Sequence, residues 1–386
     1  MDVDVAIVGG GPAGTSTALH LVRREGIAPS RILVVDKAKF PREKPCAGAI
    51  SQLGVDELAA IDVHVRVPSI AMRGVRVLAG DDVGETMYPM GIVVRRSEFD
   101  AQLLDDARAD GVTVREGEGL KSIERIAGGH RLVTSGGAIT ARIVAACDGA
   151  GSATRKALGL KEPERKGHLY VLETEALPAD TGVPRGLVDF DLTVLDDGLE
   201  GYYWDFPTPI GGTTQVSRGI YHANFSARSD VKEVLARSLE RRGVDIAKVK
   251  LKPFPTRPFV PGSKTWLPGL VFVGEAAGID RTTGEGIAQA IAMGRIAARH
   301  VANALRVRTR SFFDYDREVR ESVVGRHMLQ SAWLSKRVYG RFGGPARRYL
   351  LRSNYAREQA MRWYRGEQLS LFTQAKLALG IALSAF

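Results

Sequence analysis

The chain has 386 residues, 44% of them hydrophobic and 25% charged, with two cysteines and a formal net charge of +10. That balance excludes a collagen-like, wholly disordered or disulfide-stapled chain, and the length leaves room for two or three domains with sizeable cores. The charge is lopsided: residues 305–386 hold 16 basic and 6 acidic side chains, which leaves 38 of each sign in the first 304 residues. An acidic partner for the tail is one reading, and a solvated helical face is the other.

In chain order, residues 3–8 predict a short buried strand, Gly9-Gly10-Gly11 a sharp turn, and residues 12–24 a helix with Ala13, Leu19 and Leu21 among its apolar positions. Residues 31–35 carry a continuous apolar run and predict a second strand. Strand, helix and strand in about 30 residues is the βαβ unit of a parallel sheet, buried on both faces. Residues 40–51, with Pro41, Pro45 and Gly48, read as a loop. A helix is expected over 97–110, with Ser97 as its N-cap. Strands are expected over 112–115, 119–125, 130–134 and 138–144, around glycine turns. Residues 168–225 alternate aromatic, apolar and polar types and predict an antiparallel sheet. A surface helix over 228–242, a buried strand over 270–273 and a long helix over 286–306 follow, and helices dominate from residue 311 onward. Asp2 and Asp4 flank the first apolar residues, and no run of 18 apolar residues occurs. A cytoplasmic protein is therefore expected, peripheral at a membrane if the basic tail binds one.

Gly9-x-Gly11-x-x-Gly14 falls between the first strand and the first helix. The first glycine permits the tight turn, the second lets the backbone approach a pyrophosphate, and the third lets helix and strand pack closely. The phosphate charge is then met by free N–H groups at the helix N-terminus. Asp36, 22 residues after Gly14, ends the second strand where an acidic residue would hydrogen-bond a ribose. The pattern predicts a bound dinucleotide and does not by itself choose between NAD and FAD.

Further segments choose. Residues 146–155, containing Cys147-Asp148-Gly149, resemble the Asp-Gly motif of flavoprotein hydroxylases, and residues 269–278, containing Gly274-Glu275, resemble their second FAD motif, with glutamate where aspartate is usual. Arg96, Phe99 and Asp100 resemble the Arg-x-x-Phe-Asp segment whose arginine lies beside FAD. Phe40-Pro41-Arg42-Glu43-Lys44-Pro45-Cys46-Ala47-Gly48 resembles the isoalloxazine-side loop of geranylgeranyl reductases, with Ala47 in place of a glycine. Tyr202-Tyr203-Trp204-Asp205-Phe206-Pro207 resembles their Tyr-x-Trp-x-Phe-Pro motif, and the Trp-x-Trp-x-Ile-Pro pattern of flavin-dependent halogenases is missing. Period-2 spacing sets Tyr202, Trp204 and Phe206 on one strand face, an aromatic wall suited to a flat or isoprenoid-like substrate or to the core of a large sheet.

The resemblance to the geranylgeranyl reductase family, over residues 1–305, implies an α/β (α+β overall) fold. A Rossmann-type FAD-binding domain (1–65, 95–165 and 265–305) would interleave with an antiparallel-sheet substrate domain (66–94 and 166–264), followed by a basic helical region (306–386). It implies FAD held by Gly9, Gly11, Ala13, Gly14, Asp36, Cys46, Ala47, Gly48, Arg96, Asp148, Glu275, Gly286 and Ile287, with residues 283–287 beginning a helix against the flavin pyrimidine edge. Cys46 is the candidate catalytic side chain, or a passive one, and Tyr202, Trp204 and Phe206 face substrate. Cys147 is expected in the core. The implied reaction is hydride transfer from reduced flavin to a carbon–carbon double bond of a lipophilic substrate, with NAD(P)H or another transient donor as reductant. The alternatives are an FAD-dependent monooxygenase or tailoring oxidase, and a non-catalytic flavin-binding redox sensor. No metal site and no nucleic-acid partner are expected. An acidic membrane surface or acidic carrier protein would meet the tail, and the apolar stretch 369–386 would seal the substrate cavity, lie on a membrane or pack on the core.

Overall fold

The computed structural model describes residues 1–161, 166–224, 230–340 and 342–385. Val3–Val8 forms the middle of the first sheet, parallel to Ile32–Asp36 on one side and to Gly137–Ala146 on the other. Thr113–Glu116 extends the sheet beyond Ile32–Asp36, and Leu270–Phe272 extends it beyond Gly137–Ala146, both in parallel register. The central strands are apolar along their length because both faces are covered: Val5, Ala6 and Ile7 have no exposed surface. The helices Pro12–Arg23 and Ile287–Val307 pack together, and the Ser16 hydroxyl donates to the Ile291 carbonyl at 2.7 Å. Two residues far apart in sequence thereby fix the site's two helix starts against each other.

The second sheet runs in the order Lys252–Thr256, Gly167–Thr174, Thr213–His222, Gly201–Ile210, Leu187–Asp191, Ser69–Ala79, Asp82–Val94, Ala49–Ser51. Its pairs are antiparallel except Leu187–Asp191 with Ser69–Ala79, a parallel pair inside the region expected to be antiparallel throughout. The strands of the two sheets alternate along the chain, so neither layer is one continuous segment. Residues 40–51 are not one loop: Ala49–Ser51 pairs with Asp82–Val94, which puts a piece of the stretch 1–65 into the second sheet. Three residues are too few to show a strand period. The helix expected from Ser97 is Arg96–Ala109 with Arg95 at its N-cap and no side-chain cap, so Ser97 lies inside it. The surface helix is Val231–Glu240, and the Arg228 start expected for it lies outside the described residues.

Alternation on Gly201–Ile210 gives the second sheet two different faces. On one, Tyr202, Trp204 and Phe206 join Phe190, Tyr221, Met72 and Met361 in an apolar cluster. On the other stands a buried ionic network. Arg218, with no exposed surface, places Nη2 2.6 Å from Asp180 Oδ2 and Nη1 2.6 Å from Asp205 Oδ1. Arg242 binds the same Asp205 and sits 2.9 Å from Asp191. The Tyr203 hydroxyl donates to Asp205 at 2.8 Å.

Among the described residues, five helices complete the tail: Phe313–Glu321, Val323–Val338, Gly343–Arg352, Asn354–Tyr364 and Leu371–Leu383. No described helix is long and apolar enough to cross a membrane.

The network generates a stability prediction. Arg218→Ala leaves two carboxylates buried without their shared partner, which typically costs about 3–5 kcal/mol. Urea denaturation of the variant is expected to show a loss in that range. A loss under about 1 kcal/mol would mean that Asp180 finds another partner and that Arg242 and Tyr203 suffice for Asp205.

Candidate active site

The glycine turn is built by close backbone approach. A Cβ at Gly14 would stand 1.9 Å from the Gly9 carbonyl oxygen, and one at Gly9 would stand 2.4 Å from the Cys147 carbonyl oxygen. Gly9 has φ +109, a value costly for other residues. The helix Pro12–Arg23 starts from Gly11 with no side-chain cap, so its first-turn amides face outward without a protein side chain to meet them. The Arg42 guanidinium lies over this turn, with Nη2 3.3 Å from where a Gly11 Cβ would be. The Asp36 carboxylate is held rigidly at the end of its strand by the amides of Gly10 at 2.7 Å and Ala38 at 2.8 Å.

The Asp148 carboxylate accepts from the Ser152 hydroxyl at 2.7 Å and the Thr154 amide at 2.8 Å, at the start of the short helix Ala153–Ala157. Cys147 is buried, and burial pushes its thiol well up. Gly274, next to Glu275, lies where a Cβ would come 2.8 Å from the Cβ of Ala13. The first and third glycine-bearing motifs, more than 250 residues apart, therefore touch.

A small solvent-open cleft is lined by Lys44, Cys46, Ala47, Arg96, Thr208 and Ser217 among others. The Gly48 amide lies 3.4 Å from Cys46 Sγ. The left-handed conformation of this loop falls on Gly48 (φ +81), while Ala47 has no positive φ, so the alanine is tolerated without strain. Arg96 forms a two-pronged pair with Asp100, at 2.8 and 2.7 Å, and Arg42 Nη2 shares that carboxylate at 3.1 Å. Burial opposes the Arg96 charge, but Asp100 outweighs it and holds the guanidinium above its usual range. Lys44 stands 3.2 Å over the Phe254 ring and 3.8 Å from Glu275 Oε2. Burial pulls its ammonium down to about 8 despite Glu275. Glu275 also accepts from the Arg257 amide at 3.3 Å.

The loop before the long helix is anchored from both sides. The hydroxyls of Tyr221, Tyr339 and Tyr202 donate to the successive carbonyls of Arg281 (2.9 Å), Thr282 and Thr283. On the other side, the buried Asp280 carboxylate accepts from the Thr282 amide at 2.6 Å, the Thr283 hydroxyl at 2.6 Å and the Ser331 hydroxyl. His327 Nε2 lies 3.0 Å from the same carboxylate, and its ring stacks on Trp363 at 3.9 Å. Burial would raise the Asp280 pKa, but His327 and the hydroxyls hold it below the usual range. Glu285 accepts from the Ala288 amide at 3.0 Å, yet burial still raises its carboxyl to about 7.

Tyr202, Trp204 and Phe206 lie on one face, almost fully buried. Tyr202 and Trp204 ring centroids are 6.2 Å apart, and those of Trp204 and Phe206 6.5 Å. Their cluster is closed by Tyr339, Met361 and Tyr364 from the tail. The stretch 369–386 does not close it, for the helix Leu371–Leu383 has no buried residue.

A family model described as an FAD binding domain matches residues 2–190. A geranylgeranyl diphosphate reductase of Rhodobacter capsulatus is 30% identical over 318 residues, spanning 77% of this chain and 74% of the relative. The chain belongs to the geranylgeranyl reductase family of FAD-dependent oxidoreductases. A digeranylgeranylglycerophospholipid reductase of Methanocella arvoryzae is 26% identical, over 83% of this chain and 84% of that one. The crystal structure of a geranylgeranyl bacteriochlorophyll reductase-like protein of Thermoplasma acidophilum shares the fold, with TM-score 0.70, 22% identity and coverage of 98% and 95%.

The glycine turn fits the cofactor of a geranylgeranyl reductase-family enzyme: Gly9 and Gly14 close the turn on backbone, Gly11 puts no Cβ beneath Arg42, and the helix amides and Arg42 are presented to an anion. Motif spacing found Gly9, Gly11, Gly14 and Asp36. It did not find Arg42 over the turn, nor Asp280, Ser331 and His327 around the third motif, because those contacts join separate elements.

Two predictions arise here. Gly14→Val should yield protein without flavin absorbance near the wild-type stoichiometry. Circular dichroism separates lost binding from lost folding, and full flavin retention would refute the cradle. For Glu285 the folded pKa of about 7 exceeds the unfolded value of 4.5. The protonated form therefore stabilises the fold, fully below pH 4.5, and that contribution is lost as pH rises to 7. At 1.36 kcal/mol per unit the span is about 3 kcal/mol. Gln stands in for the protonated acid, so comparing urea unfolding of the apo-protein with that of Glu285→Gln should show a difference, in favour of the variant, that grows as pH rises over this window. A pH-independent difference would place the proton elsewhere.

Proposed function

We propose that this enzyme reduces a carbon–carbon double bond in a lipophilic, isoprenoid-like substrate, with FAD supplying the hydride when bound. The observation that carries this reading is the aromatic wall of Tyr202, Trp204 and Phe206, which is wired by the Tyr202 hydroxyl to Thr283. An apolar chain laid on that wall would be positioned relative to the loop that precedes the long helix. The names of the two curated relatives support a geranylgeranyl-bearing substrate.

The chain's own groups have distinct tasks in this reading. Arg42 and the first-turn amides of Pro12–Arg23 bind the cofactor's pyrophosphate, and Asp36 orients its adenosine ribose. The N-terminus of Ile287–Val307, where Glu285 takes the Ala288 amide, favours negative charge at the flavin edge through its remaining dipole. Tyr339, Met361 and Tyr364 exclude water from the wall, which strengthens every polar interaction behind it. Cys46, on the cleft beside Arg96, is the side chain assigned to the flavin side.

The test reduces the FAD-loaded protein with dithionite under argon and adds geranylgeranyl diphosphate. Reoxidation of the flavin with formation of a dihydro product is expected. Flavin that reoxidises only with oxygen, with an oxygenated product, would overturn the reading in favour of a monooxygenase. Trp204→Ala removes one wall ring, and burial of such a side chain is worth about 1.5–3 kcal/mol. It is expected to lower kcat/KM at least about tenfold with an unchanged flavin spectrum. Unchanged kcat/KM would make the wall core packing alone.

A further inference from the structure

The helix Leu371–Leu383 has the sequence LFTQAKLALGIAL, with Lys376 its one charge and no buried residue. One side rests on protein. A Cβ at Gly380 would come 2.2 Å from the Tyr349 ring, and Arg348 Nε donates to the Ser384 carbonyl at 2.8 Å. The half-buried Thr373, Leu377, Gly380 and Ile381 mark that side. The opposite side is also apolar. Phe372, Leu379 and Leu383, at helical spacing, are 78%, 60% and 67% exposed, and Leu371 beside them is 84% exposed. Lys376 falls on this stripe, but its ammonium lies 4.0 Å over the Tyr355 ring of the preceding helix.

A helix whose outer stripe is as apolar as its inner one gains nothing from facing water. Its border is basic. Arg348 and Arg352, both exposed and one turn apart, lie on Gly343–Arg352, the helix beneath it. The tail as a whole carries 16 basic against 6 acidic residues. Thirteen residues rise about 20 Å, too short to span a bilayer of about 30 Å. Apolar contact edged by cations is the chemistry of an anionic lipid surface.

We propose that this face docks on an anionic phospholipid bilayer, with the helix lying in the interface, Phe372, Leu379 and Leu383 among the acyl chains and Arg348, Arg352 and Lys376 at the headgroups. Neither a second copy of the chain, whose matching patch is equally basic, nor an acidic protein, which would leave the apolar stripe unmet, satisfies both features. The proposal stands whatever the enzyme's substrate.

The experiment floats the full-length, FAD-loaded protein with vesicles of phosphatidylcholine alone or mixed with phosphatidylglycerol. At least tenfold stronger association with the mixed vesicles is expected. The triple variant Phe372→Ser, Leu379→Ser, Leu383→Ser is expected to lose that binding at least tenfold, and Arg348→Gln with Arg352→Gln to lose the preference for the anionic lipid, both with unchanged flavin spectra. The proposal is overturned if the wild type does not float with the mixed vesicles, or if the triple variant floats equally. It is also overturned if light scattering shows a dimer that the triple variant abolishes while vesicle binding is absent. The reaction is assayed separately in solution, so failure here leaves the reduction assay as it stands.

Discussion

The whole assembly turns on two points where backbone meets backbone with no space for a side chain. Gly14 lies against the Gly9 carbonyl, and Gly9 against the Cys147 carbonyl. The first contact sets the distance between the opening strand and its helix. The second draws the end of Gly137–Ala146 to the same turn. A methyl group would stand 1.9 Å from backbone at Gly14 and 2.4 Å at Gly9, so these pieces would have to move apart, and the helix amides, Arg42 and Asp36 would no longer converge. Sterics, rather than any strong attraction, defines where an anion can sit, and attraction then acts on the shape so made.

The second sheet is coupled to that turn through the loop at 280–286. Three tyrosine hydroxyls, two from the aromatic sheet and one from the tail, hold three consecutive carbonyls. Asp280, fixed by Ser331 and His327, holds the loop's other edge. The tail therefore helps to build the candidate site, since Ser331, His327, Tyr339 and Tyr364 all come from it. Such a fully engaged segment costs little to reorganise when charge develops beside it.

Much of this was legible because short motifs carry local geometry. The strand-turn-helix around Gly9, Gly11 and Gly14 can be read from spacing alone, and so can the single face shared by Tyr202, Trp204 and Phe206. The long helix, expected over 286–306, runs from Ile287 to Val307. What escaped was contact between separate elements. Asp148 belongs to a nucleotide-facing motif, yet its carboxylate caps Ala153–Ala157, which only the path of the following residues decides. Ala49–Ser51 is too short to show a period, and its strand character comes from the long neighbour Asp82–Val94. Asp280 and His327 are 47 residues apart on unrelated patterns, and no sequence rule pairs them. The apolar stretch at 371–383 was visible as composition, but its outward-facing stripe depends on where Tyr349 and Gly380 meet.

The place of Leu270–Phe272 in the first sheet has a consequence for biosynthesis. This strand lines up with Gly137–Ala146, and the Tyr315 hydroxyl donates to the Phe272 carbonyl at 2.7 Å. Gly137–Ala146 pairs with the opening strand well before this segment is made, and its outer end stays a bare parallel edge until the segment arrives. At about 5–20 residues per second, that interval lasts on the order of ten seconds. During it the nascent chain carries an unsatisfied edge that invites wrong partners. The same strand brings Gly274 and Glu275, so completing the sheet and completing the nucleotide groove are a single late event in the life of the polypeptide.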